Sequence, residues 1–374
     1  MKIPLAKPDI KEEDIKSVIE VLKTPFLSLG PKLLEFEEKI RNFVGVKYSV
    51  VVNSGTSALH LIIKSIGIKK GDEVITTSFS FISSSNCIIF EEGTPVFVDI
   101  EEDNYNINPD LIEEKITEKT KAILAVDVFG NPADWEKLEK IAKKYNLFLI
   151  EDSAEAVGSK LKDRMCGSFG NAGIFSFYPN KQITTGEGGV ILTNDESIYS
   201  LSRSFRNQGR GDDNKWLEHI RIGYNYRLSD INCALGISQL NRIDEIINKR
   251  RKVYEIYNEY LSDIDEIILP KEKNGVFVNW FNYVIRLRDK FNKIDRDNLI
   301  KFLNESGIEC KNYFPPIHLQ PFYKNKFKFK EGDLPITEKI SDRTISIPFF
   351  NNLSEIEIKY IKEKLKEGLI KIRN

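Results

Sequence analysis

From residue 48 to residue 152 the chain alternates short apolar runs with amphipathic stretches. The runs are Tyr48–Val52, Glu73–Thr77, Val96–Asp99, Ala122–Val126 and Leu147–Ile150, and Ala133–Tyr145 between the last two has helical periodicity. Apolar runs without polar alternation, separated by helices, predict a mostly parallel sheet covered on both faces. Sheets of this kind hold ligands beyond the carboxyl ends of their strands.

Two helices are expected before the sheet. The first has Asp9 as N-cap, Glu12 three residues on, and Ile15, Val18, Ile19 and Leu22 along one face. The second follows the turn Leu29-Gly30-Pro31, carries Leu33, Phe36, Ile40 and Phe43, and stops at Gly45. Ser229 to about Tyr260 reads as one long helix. It sets the expected division into a large domain, 1–240, and a smaller C-terminal α+β domain, 241–374. The smaller part holds an extended run Val276–Leu287, a helix near Arg296–Asn304, a turn at Phe314-Pro315-Pro316 and a last helix near Ser354–Glu367.

Composition narrows the function classes. The 374 residues are 41% hydrophobic and 30% charged, with a net charge of -1, so no field favours nucleic acid or an acidic membrane surface. No apolar run reaches the roughly 18 residues of a transmembrane helix, and the first residues lack the apolar segment of a signal peptide. Cys87, Cys166, Cys233 and Cys310 are scattered singly, as expected in a reducing cytoplasm. His60, His219 and His318 are too dispersed for a His-rich metal site, and no metal is expected.

Three segments carry chemistry. Val51-Val52-Asn53-Ser54-Gly55-Thr56-Ser57-Ala58 is a strand, a small-residue turn and a helix start, whose free N–H groups and hydroxyls suit a phosphate. The plainer reading is an ordinary Ser/Thr-capped turn. Leu149-Ile150-Glu151-Asp152 drives a strand into two carboxylates. Asp152 at the tip needs a cationic partner, or serves only as a helix cap. Lys181, within Phe175-Ser176-Phe177-Tyr178-Pro179-Asn180-Lys181, is followed closely by Gly186, Gly188 and Gly189. Tight packing there would expose a nucleophilic amine, although most lysines are surface charges. A phosphate cradle, a carboxylate for a pyridinium nitrogen and a Schiff-base lysine together match the needs of pyridoxal 5′-phosphate.

With these residues in place, the chain resembles the DegT/DnrJ/StrS sugar aminotransferases, within the fold type I pyridoxal-phosphate enzymes. The resemblance runs from Ile3-Pro4-Leu5-Ala6-Lys7-Pro8 through Ser54-Gly55-Thr56-Ser57-Ala58-Leu59, Gly93-Thr94-Pro95-Val96-Phe97-Val98-Asp99, Glu151-Asp152, Lys181 and Thr185-Gly186-Glu187-Gly188-Gly189. It ends at Gly223-Tyr224-Asn225-Tyr226-Arg227 and Pro315-Pro316-Ile317-His318. It implies an α/β large domain and a smaller α+β domain. It also implies that Lys181 holds the cofactor and shuttles the proton, that Asp152 pairs with the pyridinium nitrogen, and that Gly55, Thr56 and Ser176 bind the phosphate. Phe81 would stack on the ring, the alternative being a core aromatic. Asn225 would reach the cofactor of the neighbouring subunit, and His318 would lie near the sugar. Glu155 stands where many members have Gln; a carboxylate beside the cofactor's phenolate would be protonated or turned away.

The activity implied is transfer of an amino group from L-glutamate to a nucleotide-linked 4-keto-6-deoxy sugar, by a cytoplasmic homodimer with shared active sites. The C4 position follows from Tyr226-Arg227 after Asn225, and sugar contacts are expected in the loop Asn207–Lys215. The rivals are a sugar dehydratase of the same fold, which carries His in place of the lysine, a cyclitol aminotransferase, and a non-catalytic cofactor-binding regulator.

Overall fold

Seven strands form the central sheet of the computed structural model, which describes residues 1–211 and 217–373. They are β1 (Tyr48–Val52), β2 (Glu73–Thr77), β3 (Thr94–Val98), β4 (Thr120–Val126), β5 (Phe148–Asp152), β6 (Ala172–Ser176) and β7 (Gly189–Thr193), in the spatial order β1-β7-β6-β5-β4-β2-β3. β7 is antiparallel to both neighbours, and the remaining pairings are parallel. The strands are buried along nearly their whole length, because helices cover both faces.

Eight α-helices among the described residues belong to this part of the chain: α1 (Glu12–Leu22), α2 (Pro31–Val44), α3 (Gly55–Ser65), α4 (Ser83–Phe90), α5 (Trp135–Tyr145), α6 (Glu196–Arg206), α7 (Asp230–Asn241) and α8 (Ile243–Leu261). α2 stops where Gly45 turns left-handed at φ 84°. The start of α1 differs from the sequence expectation. Its N-cap is Lys11, whose amide donates to Asp14 Oδ2 at 2.9 Å. Asp9 is instead buried and accepts from Lys249 Nζ at 2.9 Å and Asn351 Nδ2 at 3.1 Å.

The single long helix expected over Ser229–Tyr260 is two helices. Arg242 breaks it, with φ -106° and ψ 14°. Its guanidinium is drawn across to the Asp9 carbonyl, 2.8 Å, and to Asp14 Oδ2, 2.9 Å. A buried cation thus finds its partners outside the helix.

The C-terminal part is built on an antiparallel sheet of Ile267–Ile268, Tyr283–Leu287 and Thr344–Ile347, with Tyr283–Leu287 in the middle. The helices Lys293–Glu305 and Glu355–Arg373 pack together beside it. The apolar cores divide within α8. Ile243 and Ile246 join the cluster of α2 and β7, whereas Val253, Tyr257 and Leu261 join the C-terminal cluster. Ile3 also belongs to that second cluster, so residues from both sides of the sheet segment build it. The Ile3 amide donates to Gly307 O at 2.8 Å, and the Glu309 amide donates to Ile3 O at 3.0 Å.

Candidate active site

β1, β5 and β6 end at one cavity of about 470 Å³. Gly55, Thr56, Phe81, Asp152, Glu155, Ser176 and Lys181 all line it, so seven residues singled out in the sequence meet in one place.

The cradle forms at the β1–α3 turn. Ser54 caps α3, its Oγ accepting from the Ser57 amide at 3.1 Å, and its carbonyl accepts from the Ala58 amide at 3.1 Å. The amides of Gly55 and Thr56 come before these bonds and stand at the positive end of the helix, where an anion is favoured. Gly55 is required by close approach: a Cβ there would lie 3.0 Å from Ser176 Cβ. Gly189 backs the same turn, since its Cβ would lie 2.5 Å from the Ser54 backbone. Thr56 Oγ1 is 2.7 Å from Ser83 Oγ, which fixes its hydroxyl.

Asp152, the last residue of β5, is buried and brings its carboxylate to the cavity. It accepts from Ser84 Oγ at 2.7 Å and from the Ala154 amide at 3.2 Å. Burial raises its pKa, opposed by the Ser84 bond, by the Ala154 amide and by the charge of Lys181. No cationic side chain among the described residues bonds it directly. A cation supplied by a ligand is what would complete this carboxylate.

Lys181 lies in the β6–β7 connection. Its Nζ donates to Glu155 Oε1 at 3.3 Å and sits 4.0 Å from the centre of the Phe281 ring. Glu155 is therefore turned toward the lysine, while its Oε2 accepts from the Phe129 amide at 2.9 Å. Burial raises the Glu155 pKa; the Lys181 charge and the Phe129 amide oppose it, and the Asp152 charge adds to it. Burial also pushes the Tyr313 hydroxyl, on the cavity wall, up to about 12, so it stays a donor.

Phe81 is 62% exposed at the cavity, which excludes the core-aromatic reading; its neighbour Phe79 is the buried one. Asn225 does not line its own chain's cavity. It is exposed, in a segment tied down by an Asn207–Asn225 bridge and by the Asn53 amide donating to Tyr226 O at 2.9 Å. His318 is placed away from the cavity. It is fully buried, with Nδ1 2.7 Å from Ser78 Oγ and Nε2 3.0 Å from Glu338 Oε1. Both ring nitrogens are engaged, so the expected sugar contact gives way to a structural role. Within the loop Asn207–Lys215, residues 212–215 lie outside the described residues.

Sequence reasoning missed Ser84, Phe281 and Tyr313. Ser84 stood in a run, Ser83-Ser84-Ser85, shortly after Phe81, which was the available signal. Phe281 and Tyr313 come from the C-terminal part and carry no local pattern.

A lysine, a buried carboxylate without a cation and a helix N-terminus, gathered at the ends of a mostly parallel sheet, define a pyridoxal-phosphate-dependent transferase. The chain matches the model of the DegT/DnrJ/EryC1/StrS aminotransferase family over residues 8–366 and belongs to that family. Among curated relatives, GDP-perosamine synthase of Escherichia coli O157:H7 is 37% identical over 366 residues, 98% of each chain. Among solved structures, Helicobacter pylori PseC, an aminotransferase involved in the biosynthesis of pseudoaminic acid, superposes with a TM-score of 0.94 at 31% identity, covering 99% of this chain and 100% of the other. The PLP form of the putative sugar aminotransferase Spr1654 from Streptococcus pneumoniae gives a TM-score of 0.94 at 27% identity, covering all of both chains. The protein is a sugar aminotransferase whose cofactor is pyridoxal 5′-phosphate.

Proposed function

We propose that the protein moves an amino group from L-glutamate to the C4 keto carbon of a nucleotide-linked 6-deoxy sugar. The observation that carries the aminotransferase chemistry is the meeting of Lys181, Asp152 and the α3 N-terminus in one cavity. The C4 position rests on Tyr226-Arg227 after Asn225, and the relative named for a GDP-linked product supports a nucleotide-linked substrate.

The bound cofactor supplies an electron sink that carries the amino group between donor and acceptor. The protein's residues do the rest. Gly55, Thr56 and Ser176 hold the phosphate, and Asp152 keeps a proton on the pyridine nitrogen. Lys181 Nζ would hold the cofactor and would move the proton at the substrate carbon. Glu155, 3.3 Å from that nitrogen, positions it. Phe81 stacks on the ring. The presence of Lys181 counts against the dehydratase reading, and its grouping with Asp152 counts against a purely regulatory one. A panel of nucleotide-linked keto sugars incubated with glutamate and read by mass spectrometry tests the assignment. Amination of a C3-keto sugar in preference to a C4-keto sugar would overturn the position, and amination of free cyclitols alone would overturn the nucleotide.

Two chains would share each site. Asn225 is exposed and outside its own cavity, and Phe26, Leu27, Leu34 and Ile222 are exposed apolar side chains that a partner would cover. Mixing Lys181→Ala chains with Asn225→Ala chains, each nearly inactive alone, places both defects in one site of a mixed dimer and neither in the other. About a quarter of wild-type activity should return after free reassortment. An inactive mixture, with subunit exchange demonstrated, would rule out the shared site.

A further inference from the structure

Behind the exposed Asn225 lies a shielded polar cluster that the proposed chemistry does not use. It consists of His60 and Lys64 on α3, Glu91 just after α4, and Tyr224 and Tyr226 on either side of Asn225. The His60, Lys64 and Glu91 side chains are only 5%, 21% and 15% exposed. Glu91 is the node. Its Oε1 accepts from His60 Nε2 at 2.8 Å, from Lys64 Nζ at 3.0 Å and from the Tyr224 hydroxyl at 3.2 Å, and its Oε2 accepts from Lys64 Nζ at 2.9 Å. Against the upward pull of burial, the Lys64 and His60 bonds hold the Glu91 carboxyl below its ordinary pKa. An ionised carboxylate can only accept, so His60 Nε2 carries the proton. Burial holds the His60 pKa down and keeps the ring neutral, which leaves Nδ1 to accept from the Tyr226 hydroxyl 3.2 Å away.

Both neighbours of Asn225 are therefore clamped through their hydroxyls. Their rings also stack on each other at 4.9 Å, and the His60 ring packs against Tyr224 at 4.9 Å. The backbone is pinned as well, the Tyr224 and Tyr226 amides donating to Phe205 O at 2.6 Å and Arg206 O at 3.1 Å. An antiparallel bridge to Asn207 makes the segment extended at Asn225, and side chains alternate between the two sides of an extended segment. With Tyr224 and Tyr226 turned toward His60 and Glu91, Asn225 points the other way, into the open.

None of the five cluster residues lines the chain's own cavity, whereas two of them flank Asn225. Buried ion pairs add little net stability, and the use best attested for them is to fix one arrangement. On the reading that Asn225 serves the neighbouring subunit's cofactor, we infer that Glu91 is a positioning residue for the partner's site. Through His60 and the Tyr224 and Tyr226 hydroxyls it aims Asn225 across the dimer. A change at Glu91 then damages the site of the other chain and spares its own.

The test asks in which chain's site a Glu91 defect is felt. Glu91→Ala should lower turnover of the cofactor-loaded enzyme about tenfold, within the roughly hundredfold that a misplacement of about 1 Å can cost. Glu91→Gln keeps an acceptor oxygen for His60 or Lys64 and should recover part of that loss. Glu91→Ala chains are then mixed with Lys181→Ala chains, beside the Asn225→Ala mixture as a control. In a mixed dimer the Lys181→Ala chain holds both defects in its own site and lends an intact Asn225 segment to the other. About a quarter of wild-type activity should return, above either parent alone. If Glu91 acts on its own chain's cradle, or if its loss misfolds that chain, every site keeps a defect. The mixture then falls below the Glu91→Ala parent, and the assignment is overturned. Recovery in the Asn225→Ala mixture but not in the Glu91→Ala mixture overturns the role of Glu91 and leaves the shared site standing. Recovery in neither removes the shared site and the role of Glu91 with it. Wild-type turnover in Glu91→Ala overturns the assignment as well.

Discussion

Replacing Asp152 by Asn probes the electrostatic centre of the site with almost no change of shape. The carboxylate is buried, and its protein partners are one hydroxyl, Ser84 Oγ at 2.7 Å, and one amide, Ala154 N at 3.2 Å. Asn keeps an acceptor oxygen, so the local fold should survive and cofactor should still bind. What is lost is the negative charge opposite the ring nitrogen. Breaking a buried charge pair costs about 3–5 kcal/mol, and at about 1.36 kcal/mol per tenfold this is roughly two to four orders of magnitude in rate. The assay is single-turnover reaction of the loaded enzyme with L-glutamate, followed by the absorbance of the cofactor. A loss below about tenfold with full cofactor occupancy would refute the reasoning, because Asp152 would then be acting only as a cap.

Three further predictions follow from the same geometry. Lys181→Ala should abolish conversion of glutamate to 2-oxoglutarate, since no other amine among the described residues lines the cavity; wild-type-like turnover would remove the mechanism. Glu155→Gln should keep activity within about tenfold, because the Gln oxygen can still accept from the Phe129 amide; complete inactivity would show that the carboxylate transfers a proton. Glu151→Gln should flatten the dependence of stability on pH. Glu151 is buried beside Asp127, each with a carboxyl oxygen 2.6 Å from the one Ser153 hydroxyl, and burial with the Asp127 charge holds the Glu151 pKa well above the ordinary carboxylate range. Its contribution is fully present below that range. It is lost as pH rises toward the folded value, because the unfolded chain releases a proton that the folded one keeps, at up to about 1.4 kcal/mol per pH unit. Urea midpoints measured from acid to neutral pH should therefore fall less in the variant, and parallel curves would exclude the effect.

Much of the sheet was legible because its signal is local. β1 and β2 have the limits read from the sequence, and the sheet strands missed the periodicity of helices. Cavity-lining residues at strand tips and turns were legible for the same reason: Lys181, Asp152 and Gly55 each sit where a run of apolar residues stops. What was hidden depended on distant partners. The break at Arg242 is set by Asp9 and Asp14, which lie more than two hundred residues earlier and reposition its side chain. Asp9 itself reads as a helix cap until Lys249 and Asn351 are seen beside it. His318 sits in a Pro-Pro-Ile-His sequence that points to the sugar, yet Ser78 and Glu338 hold it inside. The Phe281 ring over Lys181 has no local pattern at all.

The seam between Ile3 and the strand-like residues around Gly307 has a consequence for the order of events during synthesis. The Leu5 amide donates to Glu309 Oε2 across a separation of 304 residues. The sheet domain can close while the ribosome is still at work, because its strands lie between residues 48 and 193. The segment around Ile3, made before the sheet, must wait unpaired until residues 307–309 emerge. The C-terminal core therefore forms after the sheet, and it locks residues made before the sheet to residues made after it.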